Sequence, residues 1–187
     1  MLDKIKSVDD RLIASVAKLH TPVLNKIMRF LTFLGDGGKV WFLIIGLYFI
    51  FTRQAIPAIS MLFGLGLGIL AAEGIVKRIV CRVRPCHKID EEMLILKKMP
   101  TFYSFPSSHS STSFAMVSVS FILCRPWIAC IILVIATGIA FSRFYLQAHY
   151  LTDVICGILL GIVCGAVTVK LVFLAAASIN PAFVNKI

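Results

Sequence analysis

Charge is what this chain has least of. Charged residues make up 15% of its 187 positions, where an ordinary soluble domain carries about a quarter. Acids are scarcer still, nine Asp and Glu against nineteen Lys and Arg, for a net charge of +10. With 59% of residues hydrophobic, the apolar surface exceeds what a soluble core can hide, and a bilayer is the expected partner. A basic excess can answer nucleic acid, anionic lipid or an anionic substrate. Here the basic residues are interleaved with membrane-grade apolar runs, which argues against nucleic acid.

A secretory leader is also missing. The opening MLDKIKSVDDRL mixes acids with bases and has neither the apolar stretch nor the small-residue cleavage site of a signal peptide, so it is expected to be retained. Nor is there a zinc pattern. Of six cysteines, Cys124, Cys130, Cys156 and Cys164 sit in apolar runs, where cysteine behaves as a small hydrophobe. Cys81 and Cys86 flank a basic segment beside His87, but no second ligand pair at zinc spacing accompanies them. Free thiols and no metal are expected. No internal repeat or low-complexity tract stands out.

Apolar runs cover Val40–Thr52, Ala55–Val76, Ser110–Cys124, Pro126–Phe141 and Val154–Val169, with a weaker one over Thr21–Leu34 interrupted by Lys26 and Arg29. Only Ala55–Val76 reaches the ~20 residues a spanning helix needs without help from flanking polar groups. Before them, Ile5, Val8, Leu12, Val16 and Leu19 recur at helical spacing among Lys4, Lys6, Arg11 and Lys18, the pattern of an amphipathic helix lying in the interface. The expected fold is all-α: a polytopic membrane helix bundle of six transmembrane helices behind an N-terminal interfacial helix, with five spans as the alternative. It is read as one domain, with the interfacial helix over 1–20, three spans over 21–76, a long loop over 77–105 and three spans over 106–175. Loops of that length are commonly functional. The distribution of Lys and Arg leans toward a cytoplasmic N-terminus and an external long loop.

Three segments keep polar residues that membrane helices usually shed. In KRIVCRVRP, Lys77 and Arg84 are seven apart, on one helix face, and Pro85 ends the helix at Arg84. Glu73, one turn earlier, can hold the Lys77 ammonium. In FPSSHSS, Pro106 opens a helical turn where Ser107, Ser108 and the backbone N–H groups make an anion site with His109 at its mouth. In SRFYLQAHYLTD, Arg143 closes one apolar run and His149 opens the next, with Asp153 four residues on. That step lets the carboxylate accept from one ring nitrogen and leaves the other as nucleophile or base. Taken singly, each segment also has a structural reading: a basic helix flank, a serine-rich cap, a His–Asp bond. With six spans all three fall at one side of the membrane. Three cations, two histidines and a carboxylate gathered there meet the needs of phosphoryl transfer without a metal. These residues alone do not choose which histidine attacks, although pairing with Asp153 favours His149.

The set resembles the type 2 phosphatidic acid phosphatase superfamily, which includes bacterial lipid phosphatases, undecaprenyl pyrophosphate phosphatases, glucose-6-phosphatase and vanadium haloperoxidases. Its motifs K-x6-R-P, P-S-G-H and S-R-x5-H-x3-D are matched by Lys77…Arg84-Pro85, Pro106-Ser107-Ser108-His109 and Ser142-Arg143…His149…Asp153. One position departs: Ser108 stands where the family usually has glycine, keeping the backbone N–H and adding a hydroxyl. The resemblance implies that His149 attacks phosphorus, that Asp153 orients it, and that His109 protonates the leaving oxygen and then activates water. It also implies that Lys77, Arg84, Arg143, Ser107 and the Ser108 amide bind phosphate, with no cofactor. The expected function is a membrane lipid phosphatase, with a polyprenyl diphosphate such as undecaprenyl pyrophosphate the first choice of substrate and phosphatidic acid or phosphatidylglycerophosphate next. A bacterial cell membrane with the site on the external, periplasmic face is the expected location. A non-catalytic lipid-phosphate binder or transporter is the alternative, and vanadate-dependent halide oxidation is a remote third.

Overall fold

A computed structural model describes residues 2–89, 95–96, 99–100 and 103–179 of the chain. Every regular element among them is helical. In chain order these are α1 (Leu2–Ala17), α2 (Pro22–Gly35), α3 (Lys39–Thr52), α4 (Ala55–Ile69) with a π-wound continuation over Leu70–Val76, α5 (Lys77–Val80), α6 (Ser108–Leu123), α7 (Pro126–Tyr145) and α8 (Leu151–Ile179). Single 3-10 turns cover Asp36–Gly38 and Pro85–Lys88.

The boundaries follow local chemistry. Thr21 caps α2, its hydroxyl accepting from the Leu24 amide, and Pro22 and Pro126 supply pre-set φ angles at the first turns of α2 and α7. Between α2 and α3, Gly37 and Gly38 both take left-handed φ, 64° and 72°. Two such residues in a row turn the chain back on itself, and glycine adopts them without strain.

α6 is the hub, packed against α4, α7 and α8. Its closest approach is to α8, along a stripe of Gly157, Gly161 and Gly165. A Cβ at Gly157 would lie 2.5 Å from the Ser107 carbonyl oxygen, one at Gly165 2.6 Å from that of Ala115, and one at Gly161 would meet Ser111 O closer still. Small residues every four positions let two membrane helices touch backbone to backbone. The stripe fixes the register of α6 on α8, so the N-terminus of α6 lies beside the start of α8. Trp41, Met61, Leu65, Met116, Val119, Ile132 and Ile139 fill the core around it. Phe51, Phe63, Leu70, Val134, Leu159 and Val163 point outward, as lipid-facing side chains do.

Among the described residues, four helical stretches are long and apolar enough to cross a membrane: Pro22–Thr52, Ala55–Lys88, Pro126–Tyr145 and Leu151–Ile179. The expected first span, Thr21–Leu34, is α2. Its fourteen residues rise about 21 Å, as do the fourteen of α3, so partners and not length separate the two. Its partners lie near one end of the bundle: Asn25 accepts from the Tyr145 hydroxyl at 2.8 Å, Thr32 accepts from Arg143, and Asp36 meets His109 at 2.9 Å. α3 then runs to the other end, where Tyr48 and Gln54 share a cleft with Arg125 and Trp127.

α1 joins that same first end. Asp9 pairs with Arg82 at 2.7 Å and Asp10 with Lys88 at 3.4 Å. The N-terminus and the described part of the long connection therefore share one end of the bundle, not opposite ends as the charge count suggested. Lys97 and Lys98, part of that count, lie outside the described residues. The buried face of α1 also differs from the expected stripe. Asp9, Ile13 and Val16 are buried, while Val8 and Leu19 are exposed. The ion pair at Asp9 rotates the helix away from its purely apolar solution.

Candidate active site

The site is built where α4, α6 and α7 end or begin at that shared end. α4 gives way to π winding over Leu70–Val76, a distortion common at functional sites. It carries Glu73 to within 2.5 Å of the Lys77 ammonium, which also donates to Ser108 Oγ at 2.8 Å. Ser108 Oγ in turn donates to Glu73. The hydroxyl that replaces the family's glycine thus completes a three-way lock on Lys77.

α5 stops at Cys81, which has a left-handed φ of 50°, and the backbone runs extended into Arg84 before Pro85. In extended chain, residues i and i+2 share a side. Arg82 and Arg84 both turn toward the start of α8, while Val83 points outward. Arg84 donates to Ala148 O and lies 2.9 Å from His149 Nε2. Arg143, buried at the last turn of α7, donates to Thr32 Oγ1, and its Nε finds no acceptor among the described residues. A buried donor without a partner costs about 1–3 kcal/mol, and an anion in the site would relieve it.

His149 lies between α7 and α8 and is 1% exposed. Its Nδ1 is 2.6 Å from the Ser104 carbonyl oxygen. A carbonyl only accepts and a guanidinium only donates. Nδ1 therefore carries the hydrogen, and Nε2 holds its lone pair toward Arg84. Burial, then the charges of Arg84, Arg143 and Lys77, hold this imidazole well below its ordinary pKa, so it stays neutral.

Asp153 does not accept that Nδ1 hydrogen, as the four-residue step suggested: the two are 3.7 Å apart. The carboxylate accepts instead from Tyr150 N at 2.9 Å and from Arg82 at 2.6 Å. The Ser104 carbonyl takes the place expected for Asp153, because the connection before α6 folds back over His149. Arg82 also donates to Thr152 Oγ1 and to Asp9, and stacks 3.9 Å over the Tyr150 ring.

Ser107 caps α6: its side chain accepts from the Ser110 amide, and its own N–H donates to Asp153 O at 3.0 Å. His109 follows two residues on, within the first turn of α6 and 2.9 Å from Asp36 Oδ1. Carboxylate oxygens accept, so Nε2 is the donor and Asp36 fixes the ring.

A cavity of about 960 Å³ opens over this group, lined by Lys77, Arg84, Ser108, His109, Arg143 and His149 among others. Of the eight residues singled out in the sequence, these six line the cavity, and Ser107 and Asp153 stand behind them. The sequence reading missed Asp36, Asp9, Arg82 and the Ser104 carbonyl. Asp36 had carried a signal, an acid at the end of an apolar run in a chain with only nine. The Ser104 acceptor, a main-chain atom, has no sequence signature at all.

A family model described as the PAP2 superfamily matches residues 57–176. An undecaprenyl-diphosphatase of Sulfolobus acidocaldarius is 32% identical over 142 residues, covering 74% of this chain and 66% of the relative. Phosphatidylglycerophosphatase B of Bacillus subtilis is 28% identical over 170 residues, covering 84% and 80%. Among solved structures, a transmembrane PAP2-type phosphatidylglycerolphosphate phosphatase of Bacillus subtilis superposes with a TM-score of 0.72 at 24% identity, over 88% of this chain and 84% of that one. LpxE of Aquifex aeolicus gives 0.72 at 24%, over 86% and 93%. Both share this helical membrane fold. With the family model spanning well over half of its length, the chain belongs to the PAP2 superfamily.

Proposed function

We propose that the chain is a metal-independent membrane lipid phosphatase, one domain crossing the bilayer through α3, α4 with its π continuation, α6, α7 and α8, with α1 and α2 lying at the end that carries the site. The observation that carries the activity is His149: a neutral imidazole with its Nδ1 hydrogen on Ser104 O and its Nε2 lone pair on the wall of a cavity framed by three cations.

In the first step Nε2 attacks phosphorus and the P–O bond to the lipid breaks. His109, in its protonated form, gives its proton to the leaving oxygen. Lys77, Arg84, Arg143 and the Ser108 amide hold the phosphate oxygens, and Ser107 caps α6 behind them. Their charge counts for more in this buried setting than in water, because it is fixed before the reaction. The positive charge left on His149 is balanced by Asp153 behind it. In the second step water attacks the phosphohistidine, the P–N bond breaks, and neutral His109 takes the water proton, which restores both histidines.

A polyprenyl diphosphate is the preferred substrate, supported by the relative named an undecaprenyl-diphosphatase; phosphatidylglycerophosphate and phosphatidic acid follow. Replacing His149 by Ala abolishes phosphate release from these lipids in detergent if the reading is right, and unchanged turnover defeats it. A non-catalytic binder would need the cations but neither histidine.

The expected external face rested on placing Lys4, Lys6, Arg11, Lys18, Arg53, Arg125, Lys170 and Lys186 opposite the site, and α1 moves the first four to the site's own end. Cys81, exposed at the site's end, reports the side in a variant whose other exposed thiol, Cys130 near the start of α7, is replaced by Ser. Labelling by a membrane-impermeant maleimide in intact cells means an external site, and protection until lysis means a cytoplasmic one.

A further inference from the structure

The cavity is far larger than one phosphate needs, and its second wall is α2. Residues 22, 26, 29, 30, 33 and 36 step along one face of that helix at three- and four-residue intervals, and all six line the cavity. The inner end of the face is the catalytic end, where Asp36 holds His109 and the neighbouring Thr32 holds Arg143. One turn outward stands Arg29, and a turn further Lys26.

Neither forms an ion pair with an acid among the described residues. Arg29 is nonetheless held in place, since its Nε donates to the Ile95 carbonyl at 2.8 Å, which fixes the guanidinium against the cavity wall. Two cations thus stand one and two turns from the reaction centre, on the helix that anchors both Arg143 and His109, in a chain poor in charge. Next to Arg29 and toward the inner end, Phe30 and Phe33 are more than half exposed and give the same wall an apolar edge.

We infer that Lys26 and Arg29 form a second phosphate subsite, which binds the phosphate retained by the leaving lipid of a diphosphate while the terminal phosphate sits among Lys77, Arg84 and Arg143. The two phosphates of a diphosphate share one bridging oxygen, so the second must lie immediately outside the first. Arg29 is offset from Thr32 by three residues, about 4.5 Å of helix rise, which is within reach of its long side chain. The arrangement puts His109 near the bridging oxygen, the atom that leaves, and lets the lipid chain leave past Phe30, level with Arg29 on the same wall. This deepens the lipid phosphatase reading and rests on it. A monoester lipid would fill only the inner subsite.

The test compares the purified full chain with the double variant Lys26→Gln, Arg29→Gln on two substrates of identical tail, a polyprenyl diphosphate and the matching polyprenyl monophosphate. The expected result is a loss in kcat/KM for the diphosphate that exceeds the loss for the monophosphate by about tenfold or more, the value of a charge-assisted contact. Equal losses on both substrates, or none on either, overturn the subsite. A second measurement separates it from the hydrolase reading: calorimetric binding of inorganic pyrophosphate and of inorganic phosphate. Pyrophosphate should bind the parent protein more tightly than phosphate, and the double variant should erase that preference. If the parent protein turns over neither lipid, the hydrolase reading fails while the binding comparison still decides the subsite. A pyrophosphate preference that survives in the double variant overturns it.

Discussion

Asp9 is the residue whose replacement probes the site from furthest away in the chain. Its side chain is 1% exposed and lies 2.7 Å from Arg82, whose other guanidinium nitrogen is 2.6 Å from Asp153. Asp9 also accepts from the amide and hydroxyl of Thr152, at the head of α8. α1 therefore holds, through one guanidinium, the carboxylate behind the nucleophile. Removing one partner of a buried ion pair costs about 3–5 kcal/mol. Asp9→Asn keeps the shape and one acceptor, and Arg82 is a fifth exposed, so the expected loss is smaller, about 2 kcal/mol. For a chain of this length that lowers Tm by roughly 4–8 °C. Arg82, released from Asp9, no longer holds Asp153 in one position, so kcat falls about tenfold while KM changes little. Arg82→Lys is the companion variant: a single ammonium cannot fork to two carboxylates, and it should reproduce the kcat loss. The assays are thermal unfolding in detergent and phosphate release at saturating lipid. Parent-like Tm and kcat in Asp9→Asn would refute the reasoning. A Tm loss without a kcat loss would reduce α1 to a brace.

Two other variants read separate parts of the structure. Asp36→Asn should lower kcat by about 10–100-fold, less than the roughly 10²–10⁴-fold worth of an acid–base group because His109 itself remains; the deficit should shrink on a nitrophenyl phosphate, whose leaving group needs no proton, and a deficit equal on both substrates contradicts the role. Gly161→Ala forces a methyl against the Ser111 carbonyl and should cost about 1–3 kcal/mol by overpacking, visible as a lower Tm; an unchanged Tm contradicts the α6–α8 contact.

How much of this was legible in the sequence depended on the kind of signal each group leaves. His149, Lys77, Arg84 and Arg143 stand out because an ionisable side chain at the edge of an apolar run is expensive unless it functions. Glu73 is one helical turn from Lys77, and local spacing alone pairs them. Asp9, Arg82 and Asp36 find their partners 71 to 73 positions away. No local period encodes such contacts. The expected His149–Asp153 bond fails for a related reason: the four-residue step brings the side chains near, but the fold brings a main-chain carbonyl nearer. α2 is a different case. Its composition suits a span, while the partners of Asn25, Thr32 and Asp36 gather at one end of the bundle.

The central claim is that His149 Nε2 takes the phosphoryl group. Rapid acid-free quenching of the purified protein with a ³²P-labelled lipid diphosphate or phosphate, followed by electrophoresis, measures it most directly. The account predicts a labelled band that is stable to base, labile to acid and absent from His149→Ala, and that accumulates in His109→Ala when the label comes from a nitrophenyl phosphate, whose leaving group needs no proton. Turnover with no phosphoenzyme in either the parent protein or His109→Ala, or a label that survives in His149→Ala, would contradict it.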